Sequence, residues 1–595
     1  MNHQFKHVSW RLLGIVLLGL SLVGAAAFSV SARTPSAQAS TGRHLTIKPA
    51  GAVKLVKSAS VDWSKLPVAT GRAPASLRNI PTSLDRMTTA QRQAYDNAMK
   101  RGAIKTPLVK GVPLVGKTAT KPTVPGPNFD ACGYNDAPCL AYSYAGLTSA
   151  QSGGWYPPDQ AIASNPSYVL EGVNNEFVAY NFAGGVVTGP IYSFTFFSAV
   201  VNSGDSLGDP QMFWDASRLH WIIMELEIGT DASGNTIGYY DVAVSKTQNV
   251  TLNPATQYYL YQFGVNFNVG GSANWCDYPT MGGDYWGIWL DCVAFSSAGS
   301  SFLGNAVIGL SKNALYTGGF SGFAWTQIPA PNGSPAYRLS SANEDGTPDA
   351  EFLLATDAGL GPSNDTGLTT CAWTNTRGLA TGTPPIASCV INTNLPVGYN
   401  DPVGAAQPGT SVLLYPGYGT KQIEYKGGNL YFALTTAINS GSSDGVYWAE
   451  VQPQLSALDP SNPGGQTVQN TIVRQASIFA YNGAYSFMGT LAASSEDDIT
   501  LALNYSATTI YPSIAYMGRR ATDPPGAIAI NGVTAAAAFG SNPNGSGRWG
   551  DYSACSLDTN LTSRGLIWCG GEYGGPDASA SGAGWDTWIY GLRVE

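Results

Sequence analysis

The chain has 595 residues, 39 acidic against 31 basic side chains and only four histidines, so it is too long for a single sandwich core and too poor in histidine for a multi-histidine metal centre. Its charge is split between a net +11 over residues 40–130 and a net −22 over residues 131–595. That asymmetry calls for two functional parts and excludes nucleic acid as a partner of the larger one, whose surface repels phosphate.

The amino terminus places Lys6 and Arg11 before a nearly unbroken apolar run from Leu12 to Ala27, followed by Ala37-Gln38-Ala39. This is the pattern of a secretory signal peptide over residues 1–39, cleaved after Ala39 or, as second choice, after Ala32. Residues 40–130 are rich in Lys, Pro, Ala and Thr. Their apolar content is too thin to bury a core, so they read as an extended or irregular basic arm. One short helix is expected near Thr88 to Arg101, where Thr88 and Gln91 offer a capping box. The arm reads as a pro-segment, a strap across the acidic body, a tether to an anionic envelope, or a plain linker. Gly111 to Thr118 matches the GxxxxGK[ST] string, but Pro113 inside it and Pro122 after it leave no helix to meet a phosphate.

From residue 131 the texture becomes short alternating or aromatic runs separated by Gly, Asn, Ser, Asp and Pro, which is all-β. A recurring plan sets an Asp beside Pro or Tyr before a turn and a bulky strand. It is clearest at Gly208-Asp209-Pro210, at Cys276-Asp277-Tyr278-Pro279 and at Gly550-Asp551-Tyr552. Weaker copies start at Pro158-Asp159, near Asp345 to Phe352, at Gln422 to Phe432 and at Ile478 to Tyr505. Such spacing is that of propeller blades, and it predicts a β-propeller of about seven blades over residues 131–595, with six or eight open. The eight cysteines fall into neighbouring pairs, Cys132/Cys139, Cys276/Cys292, Cys371/Cys389 and Cys555/Cys569, which predicts four local disulfides in an exported protein. Gly545 to Gly550 matches GxGxxG but runs into a β texture instead of opening a helix, so it carries no dinucleotide site.

These motifs, together with Tyr168-Val169-Leu170-Glu171-Gly172-Val173-Asn174, Tyr511-Pro512-Ser513-Ile514 before Gly518-Arg519, and Arg548-Trp549-Gly550-Asp551-Tyr552-Ser553, resemble a family of secreted bacterial β-propeller proteins, most without an assigned activity. The resemblance spans most of residues 155–595. It implies the fold and no reaction.

Outside the leader only His44 and His220 remain, so a Ser-His-Asp triad would have to use His220, which sits in a strand-like run and reads as a strand residue. The Ser-x-Asp-x-Gly-x-Thr-Trp boxes of sialidase-type propellers do not occur. Aligned repeats would bring Asp209, Asp277 and Asp551 toward the propeller axis. There they would act as acid and base on a glycan, hold Ca²⁺, or cap the turns that open their blades. Arg519, Arg520 and Arg548 offer forks for an anion such as a carboxylated sugar, and Tyr278 and Tyr552 offer stacking faces. The sequence thus predicts a secreted propeller that recognises an extracellular glycan or cell-surface polymer. Its rivals are an acid-active hydrolase or lyase on the same scaffold and an adhesive surface protein. No cofactor is required, Ca²⁺ being the one candidate ion, and the arm would contact the acidic propeller or an anionic envelope.

Overall fold

The computed structural model describes residues 43–61, 138–249, 258–298, 301–344, 349–358, 365–458, 465–494, 497–528, 533–536, 547–557, 566–575 and 584–593. The expected leader, the helix near Thr88 to Arg101 and Cys132 lie outside them.

The described residues from 139 onward are arranged as seven four-stranded antiparallel blades, the third, fourth and fifth of them joined by parallel pairing between their inner strands. The innermost strands are Ala161–Ser164, Ser206–Asp215, Asn274–Gly283, Arg338–Glu344, Thr420–Lys426, Tyr485–Ala493 and Ala554–Leu557. Each packs against the next and the seventh returns to the first, so the sheets close into a β-propeller. Closure is sealed by sequence-distant strands, because Cys139–Thr148 forms the outer edge of the last blade by pairing with Trp585–Arg593. Glu171 of the first blade ties the joint, accepting from the Leu147 amide at 3.0 Å and the Thr587 hydroxyl at 2.6 Å.

Aromatics fill the spaces between blades. Trp221, Trp289, Trp325, Trp373, Trp448, Trp568 and Trp585 are all fully buried, and each such side chain stabilises the packed state by roughly 1.5–3 kcal/mol. Three expected disulfides are formed, Cys276–Cys292, Cys371–Cys389 and Cys555–Cys569, each joining adjacent strands of one blade. Cys139 is also disulfide-bonded. The fourth repeat begins at Arg338 and not near Asp345, because Tyr337-Arg338 carries no Asp-Pro signature to mark its inner strand.

Residues 43–61 are more regular than an irregular arm. Arg43–Ile47 pairs with the outer strand of the fourth blade, Gly51–Ala52 with that of the third, and Leu55–Val61 with that of the second. Open outer edges offer unpaired N–H and C=O groups, and this stretch satisfies them by adding a fifth strand to each of three consecutive blades. Val53 buries its side chain in the adjoining core and Lys57 donates to the Val200 carbonyl at 2.8 Å and to Asn202 Oδ1 at 2.6 Å. Among the described residues no helix is long and apolar enough to cross a membrane.

Candidate functional site

The amino-terminal ends of the inner strands meet in a buried polar knot. Asp209 and Tyr278 adopt left-handed φ values of 54° and 55°, each followed by proline and each inside a bulge of its inner strand. The bulge turns the chain toward the axis and is a conformation that a bulky Tyr adopts only when its surroundings enforce it. Here the enforcement is visible, because the Arg338 guanidinium lies 3.5 Å from the centroid of the Tyr278 ring.

Asp159, also at positive φ, links three blades. It accepts from Asn174 Nδ2 at 2.7 Å and from the Asp551 amide at 2.6 Å, while Asn174 Oδ1 accepts the Asp209 amide at 2.6 Å. Tyr552 of the seventh blade donates to Asp209 of the second at 3.1 Å. Arg338 of the fourth blade reaches Asp551 of the seventh at 3.3 Å, with Arg548 at 3.7 Å on the other carboxyl oxygen. Contacts between non-neighbouring blades can only be made across the axis, so the knot lies over this end of the channel. Asp159, Asp277 and Asp551 are each 1% exposed. Burial, then the nearby Asp551, push Asp159 up to about 6. Burial and the charges of Asp159, Asp277 and Asp551 raise Asp209 well above the usual carboxylate range, and burial with Asp159 and Asp551 does the same to Glu572.

The structure therefore brings Asp209, Asp277, Asp551, Tyr278, Tyr552 and Arg548 together. It does not bring Arg519, which ends the third strand of the sixth blade, or Arg520 just after it; both turn to Asp523, Arg519 donating to its carbonyl and the Arg520 amide to its carboxylate. Arg338, Asp159 and Asn174 complete the knot without having been assigned to it from sequence. Among the described residues no group of three or more His, Cys, Asp or Glu is arranged to hold a metal ion.

Two cavities run down the axis below the knot. The upper one, about 390 Å³ counted with its opening, is bounded by Gln160, Gln211, Asn343, Gln422 and Tyr552. The lower one, about 640 Å³ on the same measure, shares Ile162, Met212, Asn343 and Gln422 with it and adds Trp214, Asp215, Ser217, Glu344, Glu424 and Ser556. The new residues lie at or beyond the carboxyl ends of the inner strands, so this is the opposite mouth of the channel. Neither cavity is bounded by Asp209, Asp277 or Asp551.

At the lower mouth Asp215 caps its own turn, accepting from the amides of Ser217 and Arg218, from the Ser217 hydroxyl, and from Tyr316 at 2.6 Å. Its ion pair with Lys312 spans 2.8 Å with both side chains buried. Burial alone would raise the Asp215 carboxyl, but the charge and hydrogen bond of Lys312, with the hydroxyls of Ser217 and Tyr316, outweigh it and hold the group below its ordinary value. Glu344 goes the other way, raised well above its ordinary value by burial and by Asp284. His220 opens the second strand of its blade, its Nδ1 at the Ser245 carbonyl and its ring stacked 3.9 Å from that of Tyr316.

No family model matches this chain, and no curated protein matches it. Among solved structures it is similar to an ulvan lyase bound to -[GlcA(1-4)Rha3S]-, at 11% identity and a TM-score of 0.36, covering 73% of this chain and 91% of that one. It is also similar to a Cellvibrio cellulosa α-L-arabinanase mutant, at 10% identity and a TM-score of 0.25 over 52% of this chain and 94% of the other. A third is a Trypanosoma rangeli sialidase, at 7% identity and a TM-score of 0.28, where 66% of this chain spans 57% of the sialidase.

Proposed function

We propose that this protein is a secreted propeller that recognises a polymeric or surface glycan through the lower mouth of its axial channel. The observation that carries the reading is the lining of that channel. Gln211 and Asn343 line it with amides able to donate and accept, beside Gln160 and Gln422, whose amides are tied to Glu171 and to Cys555, above Asp215, Glu344, Glu424, Ser217 and Ser556. A polyhydroxylated ligand needs that mixture of donors and acceptors, and Trp214 with Met212 supplies apolar surface beside it. Paired cysteines and an apolar leader support export.

The test is affinity electrophoresis against a panel of neutral and acidic polysaccharides with Ala216→Trp, which puts a bulky ring into a part-exposed turn at the mouth. At least tenfold weaker retention than wild type, with an unchanged melting temperature, is the expected result. Wild-type retention by the variant, or no retention of any polysaccharide by the wild type, overturns the reading.

A hydrolytic or lytic activity is favoured by one further observation: Asp215 is held low and Glu344 is held high while both face the same cavity. Such a split is what an acid and a base need. Appearance of reducing ends across a pH series, lost in Glu344→Gln, separates cleavage from binding.

A further inference from the structure

The body of the protein is strongly acidic, yet at the rim of the lower mouth Arg218 stands without a carboxylate partner among the described residues. Arg218 directly follows Ser217, which lines the larger cavity, and among the described residues its guanidinium is held by neutral groups alone. It stacks 4.6 Å from the Tyr285 ring centroid and 5.4 Å from that of Trp286, both on the corresponding turn of the third blade. One of its Nη groups donates to Asn313 Oδ1, while its Nε finds no partner among the described residues.

The neighbouring acids are engaged elsewhere. Asp215 is neutralised by Lys312, and Asp284 Oδ1 accepts the Trp286 and Gly287 amides. Among the described residues Arg218 makes no ion pair, whereas Lys312, Arg338, Arg377 and Arg548 each do. An arginine oriented by aromatic faces and a neutral amide leaves the remaining Nη donors of its planar guanidinium to a ligand, the geometry that matches a carboxylate. His220, half-buried on Tyr316, and Ser217, whose hydroxyl donates to Asp215, stand on the same turn.

We propose that Arg218, with the Tyr285–Trp286 shelf, forms a subsite for the carboxylate of a uronic acid residue in the glycan that enters the channel. This rests on the glycan reading above and names its substrate class. The channel reads hydroxyls; the rim reads the negative charge. Both Arg519 and Arg520 lack this placement, and Arg548 is committed to Asp551.

The experiment compares oligogalacturonate with the same oligomer after reduction of its carboxyls to neutral galactose, by calorimetric titration into the full-length secreted protein at low salt. Wild type is expected to bind the acidic oligomer at least tenfold more tightly, with the advantage shrinking as salt rises. In Arg218→Gln the ratio of the two affinities falls to about one, and Arg218→Lys restores part of it, since a point charge replaces the fork. Equal affinity of wild type for both oligomers overturns the subsite while the glycan reading stands. Persistence of the preference in Arg218→Gln overturns the assignment to this arginine. Binding of neither oligomer by folded protein overturns the subsite, and the polysaccharide panel then decides the glycan reading separately.

Discussion

The two ends of the axial channel are built from the same residue types and do opposite things. At the amino-terminal ends of the inner strands Asp159, Asp209, Asp551, Arg338 and Tyr278 bond to one another across blades and leave little surface to a ligand. At the carboxyl ends Asp215 and Lys312 satisfy each other within neighbouring blades, and the space between blades stays open. The lesson is one of reach. A polar side chain that finds its partner across the axis closes the channel, while one that finds it on the adjacent turn leaves the channel free.

That contrast predicts unequal costs for breaking the two buried ion pairs. Arg338→Met removes the cation that joins the fourth blade to the seventh and strips the stacked partner from Tyr278, leaving Asp551 buried with Arg548 at 3.7 Å. The expected loss is about 3–5 kcal/mol in urea unfolding. Lys312→Met is expected to cost less, about 1–3 kcal/mol, because Asp215 retains hydrogen bonds from Ser217, Arg218 and Tyr316. A larger loss for Lys312→Met would show that the open end, and not the knot, holds the ring together.

The same contrast has a sign in pH. Burial and Asp551 raise Asp159 to about 6, burial and Asp205 raise Glu227 to about 7, and burial raises Asp291 to about 7. Their unfolded values lie near 4, so the stability they contribute is full below about pH 4 and is lost as pH climbs through 6 to 7. Asp215 is lowered, so its contribution is present above about pH 4 and lost as pH falls below it. Between pH 4 and 7 the raised groups dominate, and the melting temperature should fall as pH rises. Asp159→Asn cannot ionise and should flatten that slope by at most about 3 kcal/mol, whatever its pH-independent cost. A variant slope equal to wild type would mean that Asp159 titrates normally and that the knot is not closed to water.

Much of this was legible in the chain. The Asp209-Pro210 and Asp277-Tyr278-Pro279 turns mark two of the inner strands, because a left-handed residue followed by proline leaves a local mark, and Asp551-Tyr552 was aligned with them by its Asp-Tyr pair and the strand that follows. Arg338 left none, since its position depends on reaching a carboxylate 213 residues away, which no local pattern encodes. Scarcity of basic residues drew attention to Arg519 and Arg520, but scarcity cannot tell the axis from the rim. The strands in residues 43–61 were hidden for a related reason. Their partners are the outer edges of blades far along the chain, and what makes Leu55–Val61 a strand is the open edge of Tyr258–Gly264.

The smallest expected effect concerns Arg548, which the knot holds at its margin. It lies 3.7 Å from Asp551, is partly open to solvent, and lowers the titration of both Asp159 and Glu572 against the burial that raises them. Arg548→Gln lets both carboxyls rise further, so each resists ionisation more strongly in the folded state. At pH 8 the variant should therefore lose about 0.5–1 kcal/mol, a modest figure because solvent screens a partly exposed charge. Near pH 4 both carboxyls hold their protons with or without the arginine, and Asp551 keeps Arg338, so the loss should shrink toward zero. Urea unfolding at the two pH values measures the difference directly. An equal loss at both would assign Arg548 to packing alone and leave Arg338 as the single cation that matters to the closed end.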